Sequence, residues 1–254
     1  MDNYQNWHLG IEAGIARLTL GGAGPRHILN PEVLRELRTL SQAIRENPEV
    51  KVVLLSGADR TFCAGVDLRI IRQMVGQERE VFAETLRDLQ DCLDAFEAIP
   101  QPIVAAIRGF CIGGGMILAA CCDFRYADTR TVFSLPEVKR GIGVIMGAAR
   151  VARLTGMTTA KEWMLLGDRI RPEQARERGF LNTVVAPKRL DEVAMETARK
   201  LAALPADAVR LNKRILDEGQ LRSLRASQDL EIELQGELLN SPDFRAAIDG
   251  FFED

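Results

Sequence analysis

The sequence is poor in several residue types that would each point to a function. It has two histidines, His8 and His27, the only ones that could assist its cysteines at a metal site. Its five cysteines, Cys63, Cys92, Cys111, Cys121 and Cys122, are an odd set without metal-ligand spacing. They argue against a disulfide scaffold and for a reducing compartment, and they read as small buried hydrophobes. No apolar run approaches the roughly 20 residues that a membrane span needs. Charge of one sign is not in excess either. The 33 Lys and Arg against 36 Asp and Glu leave −3, which gives no reason to expect a nucleic acid or an acidic membrane as partner. The first stretch, "MDNYQNWHLGIE", is polar and acidic, unlike a secretory or transit peptide, so a cytoplasmic location is expected.

What is there is an ordinary globular mixture. Hydrophobic residues are 46% and charged residues 27% of 254 positions, enough for one large domain or a domain with a smaller appendage. Residues 7–20 alternate in polarity around Glu12-Ala13-Gly14 and predict a hairpin. After a glycine-rich loop, Asn30 and Pro31 predict a capped helix with Val33, Leu34, Leu37, Leu40 and Ile44 on one face, ended by Asn47-Pro48. "VKVVLLSG" (50–57) predicts a buried strand, and residues 58–66 a loop. A short helix is expected from Asp67, a long one over about 77–98, and then the strand "PIVAAIRG". A helix over Met116–Cys122, the short strands "FRYA" and "TVF", several short helices over 147–180 and a last strand "LNTVVA" follow. Past about residue 188 the pattern is helical throughout, over 188–204, 206–218, 221–240 and 243–252. Strand–helix alternation followed by helices alone implies an α/β core with a helical appendage. No internal repeat is visible in the sequence.

Three stretches carry possible chemistry. In "RTFCAGVDL" (60–68), Phe62 is an apolar anchor, Cys63, Ala64 and Gly65 are small, and Asp67 can cap the next helix. Alone it reads first as a tight loop and a helix cap, and second as backbone N–H groups offered to an anion or a developing oxyanion. In "GFCIGGGMIL" (109–118) the glycines allow a close turn before an apolar helix, but no Gly-Lys-Ser/Thr follows to make a phosphate-binding loop. In "TVFSLPEVKRGI" (131–142), Glu137 lies among apolar neighbours. It is either a surface glutamate paired with Lys139 or Arg140, or a carboxylate whose raised pKa suits it to carry a proton.

In order and spacing the three stretches together resemble the crotonase superfamily, the enoyl-CoA hydratase/isomerase family, over essentially the whole chain. "FCAGVDL" and "GGGMILAACCDFRYA" are similar to two hallmark segments, and "FSLPEVKRGI" to the segment bearing a catalytic glutamate. The resemblance implies an α/β crotonase-like ββα spiral core over 1–188 with the acyl-CoA site. It also implies a C-terminal helical trimerisation region over 189–254. Two backbone N–H groups, falling on Val66 and Gly114, would form the oxyanion hole for a thioester carbonyl, and Glu137 would be the catalytic acid–base. The adenine of CoA is expected near Ala64, Asp67 and Leu68, and the pantetheine near Arg26, His27 and Leu29. CoA would arrive as part of the substrate, with no separate cofactor or metal. The chain departs from relatives that carry a cation after the C-terminal aromatic pair, since it ends "GFFED". That leaves the usual phosphate contact without its donor.

A second departure is more telling. Hydratases of the family use two glutamates to hold and ionise water. Here the second position, two residues beyond the last glycine of the triplet, is Ile117, and the position where dienoyl-CoA isomerases carry an aspartate is Ile145. The resemblance then implies one base in an aliphatic pocket, suited to a proton shift in an enoyl-CoA. A one-glutamate hydratase, or a decarboxylase or C–C hydrolase of the same scaffold using residues such as His27 or Arg72, stay open, as does a non-enzymatic scaffold. The helix over 31–47 mixes Arg35, Arg38 and Arg45 with Glu32, Glu36 and Glu46, which weighs against the RNA binding of some relatives. The stripe Leu221, Leu224, Leu230, Leu234 and Leu238 fits either packing on the chain's own core or the homotrimers, often paired into hexamers, of the family.

Overall fold

The computed structural model describes residues 4–21, 27–239 and 241–253. Strands β1 (Trp7–Glu12) and β2 (Ile15–Leu20) pair antiparallel, Glu12 opposite Ile15. The two turn residues, Ala13 (φ 50) and Gly14 (φ 77), both have positive φ, the backbone that a two-residue hairpin turn requires. The short β3 (Ile28–Leu29) leads into α1 (Pro31–Glu46). Asn30 Oδ1 accepts from Val33 N at 2.8 Å, so the expected cap is formed.

The chain then winds the same way three more times. Strand β4 (Val52–Gly57) is followed by the short β5 (Gly65–Val66) and helices α2 (Leu68–Met74) and α3 (Arg79–Glu97). Strand β6 (Ile103–Ile107) is followed by β7 (Phe110–Ile112) and α4 (Gly114–Ala120). Strand β8 (Phe124–Asp128) is followed by β9 (Val132–Ser134), a 3-10 turn over Pro136–Arg140, α5 (Ala148–Thr155) and α6 (Met157–Leu166). The long strands β2, β4, β6 and β8 run parallel side by side in one sheet. The short ones form a second layer, β3 parallel to β5 and β7 parallel to β9. A bridge between Cys63 and Cys111 links its two parts. The repeat is one of topology, and the sequence does not reveal it.

Strand β10 (Arg169–Ile170) pairs with β9, α7 (Pro172–Glu177) follows, and β11 (Thr183–Val185) closes the large sheet beside β8. Helix α8 (Leu190–Ala203) then covers the sheet's second face. Alternation along β6 makes this plain: Ile103, Ala105 and Ile107 join the main core, while Val104 and Ala106 pack with Leu190, Ala194, Met195 and Ala198. The helical stretch past 188 therefore begins with a helix integral to the core. Helices α9 (Ala206–Gly219), α10 (Leu224–Leu238) and α11 (Pro242–Glu253) follow, α10 packed on α9. Lys213 of α9 is tied to the core by Asp123 Oδ2 at 2.9 Å, an oxygen that also accepts from Ile103 N at 2.6 Å. No helix among the described residues is long and apolar enough to cross a membrane.

Several local expectations are corrected. "PIVAAIRG" and the segment after it are two strands in different layers, broken at Arg108-Gly109, where Gly109 has φ 64. Helix α4 runs over Gly114–Ala120, beginning two residues before Met116, and at Gly115 only glycine fits, since a Cβ there would stand 2.3 Å from Cys63 O. Glu137, which follows the predicted short strand "TVF" closely enough to be expected at its end, sits instead on a 3-10 turn after β9. The expected loops also contain β3 and β5.

Candidate active site

The first wall of the site is the loop before α2. Its register is fixed by Phe62 N donating to Arg108 O and Cys63 N donating to Phe110 O, both at 2.8 Å. Gly65 has φ 99, and a Cβ there would stand 2.7 Å from Ile112 O, so no side chain fits. Asp67 N donates to Leu29 O at 2.9 Å. Successive N–H groups of a strand point to opposite sides, so the N–H of Val66 points away from β3. Asp67 also caps α2, its Oδ1 accepting from Arg69 N at 2.9 Å, and it pairs with the Arg69 guanidinium at 2.6 Å. That pairing, with the Arg69 hydrogen bonds foremost, holds its carboxyl below the usual range. Burial pushes the Cys63 thiol up to about 12, so it stays protonated and is no nucleophile at neutral pH.

The second wall is the glycine segment. Gly113 has φ 52 and ψ −118, donates to Ser134 O at 2.8 Å and accepts from Met116 N at 2.8 Å. Gly114 opens α4, where the N–H has no acceptor within the helix. A Cβ on Gly114 would lie 3.0 Å from Val66 Cγ2 and 3.4 Å from Val66 N. A Cβ on Gly65 would in turn lie 3.5 Å from Gly114 N. The backbones at 66 and 114 thus flank one narrow gap.

Glu137 reaches this gap from the 3-10 turn. A Cβ on Gly113 would fall on its Oε1, so the missing side chain leaves room for the carboxylate. Its Oε2 is buried without a hydrogen-bond partner among the described residues. Burial raises its pKa above the ordinary glutamate value, opposed more weakly by its own backbone N–H and by Arg140. A cavity of about 750 Å³ opens here. Its wall is largely aliphatic, with Ile70, Met74, Leu86, Ile117, Val144 and Ile145 among its residues. Ile117 is fully buried, and the Ile145 carbonyl accepts from Gln90 Nε2 at 2.6 Å.

The sequence profile of the enoyl-CoA hydratase/isomerase family matches residues 10–254. The chain belongs to this family. It is 30% identical over 252 residues to the crotonyl-CoA hydratase of Syntrophomonas wolfei, covering 98% of this chain and 96% of that one. It is 32% identical over 250 residues to an enoyl-CoA isomerase/hydratase of Mycosarcoma maydis, covering 94% and 89%. The crystal structure of an enoyl-CoA hydratase from Bacillus anthracis superposes with a TM-score of 0.90 at 30% identity, covering 98% of this chain and 96% of that one. Its fold is accordingly the crotonase fold.

In this family member the cavity brings together Leu29, Ala64, Val66, Asp67, Leu68, Gly114, Ile117, Glu137 and Ile145 of the residues singled out from sequence. Arg26 lies outside the described residues, as does the last residue of the tail. His27 corrects the expectation placed on its side chain: it is 2% exposed and does not line the cavity. Its φ of 48 turns the ring inward, where Nε2 donates to Ala58 O at 2.8 Å. Arg72 does not line the cavity either. Among the described residues two cations do line it, Arg69, which the sequence does not single out, and Arg140, which the sequence offers only as a surface partner of Glu137. For Arg140 a signal existed in its place three residues after Glu137, a spacing that puts both side chains on one face of a 3-10 turn.

Proposed function

We propose that the chain is an enoyl-CoA isomerase that moves a double bond by one shared carboxylate, Glu137. The observation that carries this reading is a half-buried carboxylate whose Oε2 is buried with no hydrogen-bond partner among the described residues, beside the gap between Val66 and Gly114. The thioester oxygen would occupy that gap, accepting from the two backbone N–H groups as enolate charge develops. Each such donor is typically worth about 10²–10³ in rate. Glu137 would take the proton from C2 of a 3-enoyl thioester. The electron pair moves toward the thioester oxygen, the double bond shifts from C3=C4 to C2=C3, and Glu137 returns its proton at C4. Atoms and charge balance with no added reactant. CoA enters only as part of the substrate.

Hydration is the main alternative, and relatives named hydratase keep it in view. It needs a second group to hold and ionise water, and Ile117 does neither. The other carboxylate lining the cavity, Asp67, is engaged by Arg69. The aliphatic wall also offers no group to hold a water for addition to the double bond. Decarboxylation or hydrolysis by His27 or Arg72 finds no support, since neither lines the cavity. Incubation of a 3-enoyl-CoA in D₂O, followed by NMR, tests the reading. The 2-enoyl ester is expected as the main early product. Faster accumulation of a 3-hydroxyacyl-CoA would replace it with the hydratase reading.

The assembly we propose is a homotrimer, alone or paired into a hexamer, built through the C-terminal helices. The leucine stripe is divided between two environments: Leu230, Leu234 and Leu238 are buried within the chain, whereas Leu221 and Leu224 are 78% and 77% exposed. Ile232, 70% exposed, adds to this uncovered apolar surface. Light scattering is expected to give a mass of three or six chains, and a monomer alone would reject the assembly.

A further inference from the structure

Two cations among the described residues line the catalytic cavity, and their situations differ. Arg69 is engaged by Asp67. Arg140 has no acidic partner among the described residues, and its hydrogen bond is a long one, from Nη1 to Pro136 O at 3.5 Å. In a 3-10 helix, residues three apart eclipse one another. Glu137 and Arg140 therefore leave their turn on the same side, and both line the cavity. The residues between them face elsewhere: Val138 lies against Gly167, and Lys139 pairs with Asp168 at 2.6 Å.

Glu137 stands in need of such a neighbour. Its Oε2 has no hydrogen-bond donor, and burial disfavours its charge. Of the other charged groups near it, Asp67 is paired with Arg69 and Lys139 with Asp168, while Lys161 and Glu162 of α6, the helix packed on the turn, are exposed. Gly113 and Gly114, on the α4 side, bring no charge.

We propose that Arg140 is a positioning residue that keeps Glu137 ionised as the base, acting across the cavity mouth without touching the reacting atoms. This role rests on Glu137 being the base. Arg140 is exposed, so the field it exerts is partly screened, and its replacement leaves no buried gap. The test compares Arg140→Gln and Arg140→Lys with Lys139→Gln as control. It reads the pH profile of kcat/KM for exchange of solvent deuterium into a thioester, and the ¹³C titration of the Glu137 carboxyl, assigned by its loss in Glu137→Gln. Arg140→Gln is expected to move the acid limb and the titration upward by about half to one pH unit. The rate then falls about three- to tenfold on the acid limb and little on the plateau. Arg140→Lys restores the profile, and Lys139→Gln leaves it in place. An unmoved titration in Arg140→Gln, an equal shift in Lys139→Gln, or a change in KM alone overturns the role. If Arg140→Gln is inactive, the carboxyl titration still decides. Exchange that persists in Glu137→Gln is a separate failure, of the base assignment itself.

Discussion

Glu137→Gln is expected to lower solvent-deuterium exchange into an acyl-CoA by about 10³–10⁴-fold while CoA-ester binding stays within about threefold. The amide has the size and shape of the carboxylate, so the cavity and the gap between Val66 and Gly114 persist, and only the proton acceptor is gone. Little folding cost is expected, because Oε2 has no hydrogen-bond partner among the described residues and the amide keeps an oxygen that can accept from the Glu137 backbone N–H. The direction of the pKa shift adds a check on stability. A carboxyl whose pKa is raised in the folded state binds its proton more tightly there than in the unfolded chain. Stability therefore falls as pH rises from the unfolded to the folded value, and is flat above. The amide removes that penalty, so thermal melting of Glu137→Gln should match the parent at low pH and lie at or above it once the parent's carboxyl is ionised. Retention of most of the exchange rate would falsify the base assignment, and a large fall in binding would show that the variant had disturbed more than the proton.

Much of the scaffold could be read locally. Asn30-Pro31 opens α1, and Ala13-Gly14 turns the first hairpin, because caps and tight turns need nothing beyond their own few residues. The candidate site could be placed for a different reason: Val66, Gly114 and Glu137, which line one cavity, lie in three short stretches whose order resembles a known family. What could not be read depends on distant partners. Gly114 and Gly115 are poor helix formers, yet they are helical, because Val66, Leu29 and Cys63 occupy the space that side chains would need. The break after β6 depends on Gly109 passing tight against Arg60 O. His27 looked available to a ligand, but a carbonyl 31 residues away holds its ring inside. The leucine stripe of the last helices has one period and two fates, and nothing in the period says where burial stops.

Gly113→Ala is expected to reduce exchange by about 10²-fold, through placement of the carboxylate rather than loss of it. Two effects act at this residue. Its backbone, at φ 52 and ψ −118, is a conformation that costs a residue with a side chain about 1–3 kcal/mol. Its new methyl would also fall on Glu137 Oε1. The backbone has little freedom to yield, since Gly113 N is held by Ser134 O and its carbonyl accepts from both Met116 N and Ile117 N. The carboxylate must move instead, away from the gap where the substrate carbon would sit. Denaturant unfolding should report the backbone cost, and kinetics the misplacement. The two are separated by making the change in the Glu137→Gln background. There the base is already absent, so Gly113→Ala should cost no more than about threefold further, a strongly non-additive cycle. Losses that multiplied in full would mean that the alanine had dragged the Gly114 N–H out of place. The gap between Val66 and Gly114, rather than the seat of the carboxylate, would then be what Gly113 protects.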